Sequence, residues 1–97
     1  MNIISEIELW YKLQCNSIWE HHYGISIQTI DNPGWEIKIN LTGTPYSDLG
    51  SKHFRYDRSD VDWIDCKIEN GVFYAYGGPM NLGEMLEYFI KTCKLQG

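Results

Sequence analysis

The stretch WIDCKIENGVFYAYG, residues 63 to 77, restricts the fold more than any other part of the chain. Asn70-Gly71 stands between two segments whose apolar residues alternate. Asn-Gly is the pair best suited to the positive φ angles of a type I′ turn, so the two segments predict an antiparallel hairpin with a two-residue connection. Pairing Glu69 with Val72 sends Ile64, Cys66, Ile68, Phe73 and Ala75 to one face. Trp63, Asp65, Lys67, Glu69, Val72, Tyr74 and Tyr76 fall on the other. The first set reads as a core face. The second mixes aromatic rings with charges, and its purpose has to be explained.

A second hairpin is predicted upstream. Tyr23, Ile25 and Ile27 alternate up to Ile30, the turn residues Asp31-Asn32-Pro33-Gly34 follow, and Trp35, Ile37, Ile39 and Leu41 alternate again, with Glu36, Lys38 and Asn40 outward. A four-residue loop would pair Ile27 with Lys38 and split the apolar sets between faces. A five-residue loop from Ile30 to Gly34 pairs Ile27 with Ile37, Ile25 with Ile39 and Tyr23 with Leu41. Because a one-residue slip turns every side chain over, the second register is expected. Residues 43 to 51 read as a loop, and a short strand carrying Phe54 and Tyr56 follows.

Helical spacing marks both ends. Ile3, Ile7, Trp10 and Tyr11 predict a helix over 3–15 that Asn16-Ser17 would end. After Gly77-Gly78-Pro79 breaks the last strand, Asn81 is placed to cap a final helix with Glu84 as its capping-box partner. Leu82, Met85, Leu86, Phe89, Ile90 and Cys93 give that helix one apolar stripe. The expected fold is α+β: an antiparallel sheet of about five strands, two of its hairpins clear, with an N-terminal and a C-terminal helix packed on one face. Residues 1–97 show no linker or repeat and read as one domain. Trp10, Trp35 and Phe89 are expected in the core.

Charge bears on partners. Thirteen acidic against eight basic residues give a net charge of −5, which repels phosphate backbones and argues against nucleic acid as a partner. No apolar run approaches the ~18 residues of a membrane span, so no membrane partner is expected. The N-terminus MNIISEIELWY has acids where a signal peptide carries positive charge, and a cytoplasmic location is therefore expected. Cys15, Cys66 and Cys93 are odd in number and lack a CxxC pattern, which fits reduced thiols used as small apolar fillers. The sequon at Asn40 is then without consequence.

The candidate chemistry is thin. Asp57, Asp60, Asp62 and Asp65 crowd the segment YDRSDVDWIDC. Asp60-x-Asp62 resembles the start of a calcium loop but lacks its glycine and closing glutamate, and no paired environment is evident that would divide the acids into catalytic roles. A polar turn accounts for Asp60 and Asp57 but not for Asp65 in mid-strand. His21 and His22 are expected to point to opposite sides of an extended segment and so not to share a metal. Gly77-Gly78-Pro79 could hold an anion before a helix, yet it lacks a P-loop lysine, and a tight strand-to-helix connection explains both glycines. No metal, cofactor or catalytic residue is therefore assigned.

What remains is an aromatic excess: four tryptophans, seven tyrosines and three phenylalanines. Rings beside acids have the composition of a protein-binding hot spot. Trp63, Asp65, Tyr74 and Tyr76 are the candidate contact residues, with Asp60 and Asp62 at the rim. The bland alternative is that the loop 43–51 folds over this face and makes it a second small core.

Several motifs occur together in one order: WYKLQC at 10–15, WEHHYG at 19–24, DNPGW at 31–35, DW at 62–63 and GGPMNL at 77–82. Together they resemble the immunity protein 53 family of bacterial polymorphic toxin systems, over nearly the whole length. The resemblance implies a small cytoplasmic antitoxin that binds and blocks a cognate toxin, with no catalytic residue to carry over. A basic toxin suits the acidity of the chain, and a nuclease is one such toxin. Two other readings stay open: an enzyme or small-ligand domain using the His21/His22 segment, and an adaptor that self-associates through the aromatic face. The oligomeric state is left open as well.

Overall fold

The computed structural model describes residues 2–96. Its first helix, α1 (Ile3–Gln14), starts at Asn2, whose side-chain oxygen accepts from the N–H groups of Ile4 at 2.9 Å and Ser5 at 3.4 Å. A single helical turn follows as α2 (Trp19–His22). The strands are β1 (Ile25–Ile30), β2 (Gly34–Asn40), β3 (Lys52–Asp57), β4 (Trp63–Glu69) and β5 (Val72–Gly77), and α3 (Leu82–Gln96) closes the chain. They form one antiparallel sheet in the order β1-β2-β5-β4-β3.

Both predicted registers hold. Ile27 stands opposite Ile37 and Ile25 opposite Ile39, while Glu69 stands opposite Val72. Asn70 and Gly71 take φ of 54° and 76°, the left-handed pair that an Asn-Gly hairpin turn requires. One sheet face is closed off by α1 and α3. Ile37, Ile39, Ile64, Cys66, Phe73 and Ala75 meet Ile7 and Trp10 of α1 and Met85, Leu86, Phe89, Ile90 and Cys93 of α3 in one buried cluster. Phe89 is the hinge of this packing, with ring centroids 4.8 Å from Phe73 below it and 4.9 Å from Trp10 beside it. Burying a ring of that size stabilises the fold by roughly 1.5–3 kcal/mol.

Other expectations are corrected. The segment of His21 and His22 is helical rather than extended, and the strand begins at Ile25 instead of Tyr23. Trp19 is the reason. The Asn16 side chain accepts from the N–H groups of Ile18 and Trp19 at 3.0 and 2.9 Å, and Glu20 accepts from Asn16 and Ser17 at 2.8 and 2.7 Å. The turn so built drives the Trp19 indole into the core, where it is 1% exposed and donates to the Asn40 carbonyl at 3.1 Å. The loop after β2 does not fold over the outer sheet face. It turns to the helix side, placing Tyr46 5.9 Å from Trp10 and packing Leu49 on the core. Trp35 shares the parity of Ile37 as expected but is only half-buried, with its indole N–H donating to the Pro79 carbonyl at 2.9 Å.

Candidate functional site

The candidate residues fall into two neighbouring groups. Asp65, Tyr74 and Tyr76 lie on the sheet face turned away from the helices. Across the five strands, Gln28, Glu36, Tyr76, Asp65 and Arg55 form one register row, and Ser26, Lys38, Tyr74, Lys67 and His53 form the next. Tyr74 is flanked by two ammonium groups, Lys38 Nζ at 5.9 Å and Lys67 Nζ at 5.5 Å from its ring centre. Asp65 meets His53 Nε2 at 2.7 Å. Partial burial raises the Tyr76 hydroxyl above the usual tyrosine range, and the neighbouring Glu36 adds to this. Val72, Tyr74, Tyr76, Asp65 and Lys67 are all half-buried, not buried, because the helices and the loop after β2 pack on the opposite side. Between Asp65, Lys67, Glu69, His53 and Tyr76 the face is concave, with a shallow volume of about 540 Å³. This face is of mixed sign.

Asp60 and Asp62 stand at the end of the sheet instead, where the β3–β4 loop meets the β5–α3 loop, and Trp63, which opens β4 with the parity of Asp65, joins the two groups. Asp60 is exposed, whereas Asp62 is fastened. Its Oδ1 accepts from Arg58 Nη2 at 2.8 Å and from Asn81 Nδ2 at 2.9 Å. Arg58 reaches both oxygens of Glu84, at 2.5 and 3.2 Å, and its guanidinium lies 4.5 Å from the Tyr56 ring centre. The Arg58 hydrogen bond, seconded by Asn81, holds both Asp62 and Glu84 below the ordinary carboxylate range, and the two acids push the guanidinium upward.

Asn81 and Glu84 do not form the expected capping box. The Asn81 oxygen accepts from the N–H of Trp63 at 3.3 Å, and its amide donates to Glu84 Oε1 at 3.1 Å and to Asp62. A cap that could have served its own helix instead ties that helix to β4.

Arg58 was not among the sequence candidates. One signal pointed to it: a cation within a run of acids needs partners, and Asp62 stands four residues on, whereas nothing in the sequence pointed to Glu84. His53 likewise became relevant only once β3 paired with β4. The glycine turn has a steric role. A Cβ on Gly78 would come within 2.4 Å of the Val61 carbonyl oxygen, and one on Gly77 within 2.9 Å of Met85 Sδ. With Glu84 and Asp62 at this helix start, the surroundings disfavour an anion. His21 and His22 are exposed on α2. Among the described residues no group of three or more His, Cys, Asp or Glu side chains could hold a metal ion. No helix there is long and apolar enough to cross a membrane.

A family model described as Immunity protein 53 matches residues 4–94. The chain belongs to that family. Neither a curated protein nor a solved structure matches it. Membership of the immunity protein 53 family implies an immunity role and a toxin as partner. The segments quoted above from DNPGW, DW and GGPMNL meet in space at one end of the sheet, through the Trp35–Pro79, Trp63–Asn81 and Asp62–Asn81 hydrogen bonds.

Proposed function

We propose that this chain is a cytoplasmic antitoxin that binds a cognate polymorphic toxin and neutralises it by occupying its surface, without catalysis. The observation that carries the reading is the outer sheet face. Two tyrosines stand half-exposed in the middle of a five-stranded sheet, amid charges of both signs, while every helix packs on the other side. Rings on a sheet have little conformational freedom to lose on binding, and mid-sheet backbone is held by hydrogen bonds on both sides. Asp65, Tyr74 and Tyr76 are the proposed centre of contact, with Trp63, Asp62 and Asp60 continuing it around the end of the sheet. The net negative charge favours a basic toxin, and a nuclease whose phosphate-binding cleft is plugged by this face is the specific case proposed.

The test is growth rescue. The C-terminal toxin domain encoded beside this gene is expressed in a naive host with and without this protein. Rescue together with co-purification is the expected result, and a Tyr74→Ala/Tyr76→Ala variant that folds should rescue poorly. Toxicity unrelieved by well-folded protein rejects the proposal.

A further inference from the structure

The end of the sheet displays two apolar side chains that the core does not use. Met80 is 90% exposed and Val61 is 62% exposed. They sit in the β5–α3 and β3–β4 loops, and the two loops are in contact. The Gly78 N–H donates to the Trp63 carbonyl at 3.1 Å, and Gly78 lies too close to Val61 to accept a side chain.

Neither loop is loose. The N–H groups of Arg58 and Ser59 donate to the Asp62 carbonyl at 2.9 and 3.0 Å, closing the first loop on itself. The Arg58–Asp62–Asn81–Glu84 network then clamps it to the start of α3. An apolar side chain shown to water on a backbone held this firmly has the property of an anchor residue, because little loop entropy remains to be lost on association. Methionine suits the part, since its unbranched thioether adapts to irregular apolar pockets.

Charge identifies the partner. The same end carries the carboxylates of Asp31, Asp57, Asp60, Asp62 and Glu84 against the guanidinium groups of Arg55 and Arg58, and Arg58 is already engaged by two of those acids. The outer sheet face, in contrast, balances Glu36, Asp65 and Glu69 with Lys38, Lys67 and His53, while the Arg55 side chain turns from its row to Asp57 at 3.3 Å. The negative charge is therefore concentrated around the two apolar side chains and not on the flat face.

We infer that Val61 and Met80 form an anchor that enters an apolar pocket rimmed by basic residues on a protein partner, and that this partner is the toxin. The inference rests on the toxin-binding reading. It adds an apolar anchor at the end of the sheet to the contact centred on Asp65, Tyr74 and Tyr76.

Titration of the purified C-terminal toxin domain encoded beside the gene tests it. The Val61→Ser/Met80→Ser variant should keep its thermal midpoint, since both side chains are exposed. Its dissociation constant should rise about thirtyfold or more, as expected for loss of a hot spot. An Ile27→Ser control, on β1 and 41% exposed, should bind as the parent does. Affinity of the double variant within about threefold of the parent overturns the anchor while leaving toxin binding intact. Absence of binding by the parent protein overturns both readings together. Binding of equal strength at low and high salt overturns the basic rim. If the double variant instead abolishes concentration-dependent self-association and leaves toxin affinity untouched, the occupant is a second copy and the inference is wrong.

Discussion

Two cysteines and one arginine show most directly how surroundings set the properties of single residues. Burial pushes the thiols of Cys66 and Cys93 up to about 12, and the nearby carboxylates of Asp65 and Glu84 reinforce this at Cys66. Both should remain protonated and inert, since the thiolate is the reactive form. With a disulfide reagent at pH 8, the native protein should therefore release about one equivalent from Cys15, and the other two should follow only with unfolding. Fast release of three equivalents would contradict the buried positions. Arg58 predicts a pH dependence. Asp62 and Glu84 have folded-state pKa values lowered by Arg58, so their contribution is fully present above the unfolded carboxylate range and is lost as pH falls through the folded values. The parent protein should lose stability on acidification below about pH 4.5, and Arg58→Ala should flatten that loss. Chemical unfolding at a series of pH values checks the difference in slope. An identical slope would mean that the network contributes nothing in solution.

At the level of elements, the pairing of β2 with β5 depends on one close backbone approach. Gly34 opens β2 next to the end of β5, and a Cβ there would lie 2.1 Å from the Gly77 carbonyl oxygen, with no flexible side chain to yield. Gly34→Ala should cost about 1–3 kcal/mol or disrupt the β2–β5 pairing, as overpacking does, and denaturant titration measures it. In α3, Phe89→Ala removes the ring that joins Trp10 to Phe73. A loss of about 3–5 kcal/mol is expected, because the site is fully buried between two other rings. The alternation of β4 and β5 and the stripe of α3 were legible because periodicity reports which side of an element faces the core. The α2 turn was not, since four residues are too few to show a helical period. Only the demand of Trp19 for a buried place, met by side chains of Asn16 and Glu20, makes it helical.

For the molecule as a whole, charge distribution matters more than net charge. If acidic steering speeds toxin capture, Asp60→Asn/Asp65→Asn should slow association several-fold at low ionic strength, and the difference should shrink toward zero near 1 M salt, where screening acts within about 3 Å. Stopped-flow association kinetics with the toxin domain would show it. Loss of Asp65 also releases His53 from its 2.7 Å partner, so an Asp60→Asn single variant separates steering from that local change.

The amino-acid order alone was enough for the α+β class, both hairpin registers, the helix-borne core and the family, since each is encoded in local periodicity, turn chemistry or contiguous motifs. It also supplied candidates for the contact surface, though not Val61 or Met80. It did not reveal that these residues divide between a mixed-charge face and an acidic end, nor that Arg58 and Asn81 fasten that end. Those facts depend on the strand order β1-β2-β5-β4-β3 and on α3 starting beside the β3–β4 loop, which bring together groups as far apart in sequence as Arg58 and Glu84. Side chains so distant carry no local signal of one another. Only the closing of the sheet and the docking of the last helix decide that they meet.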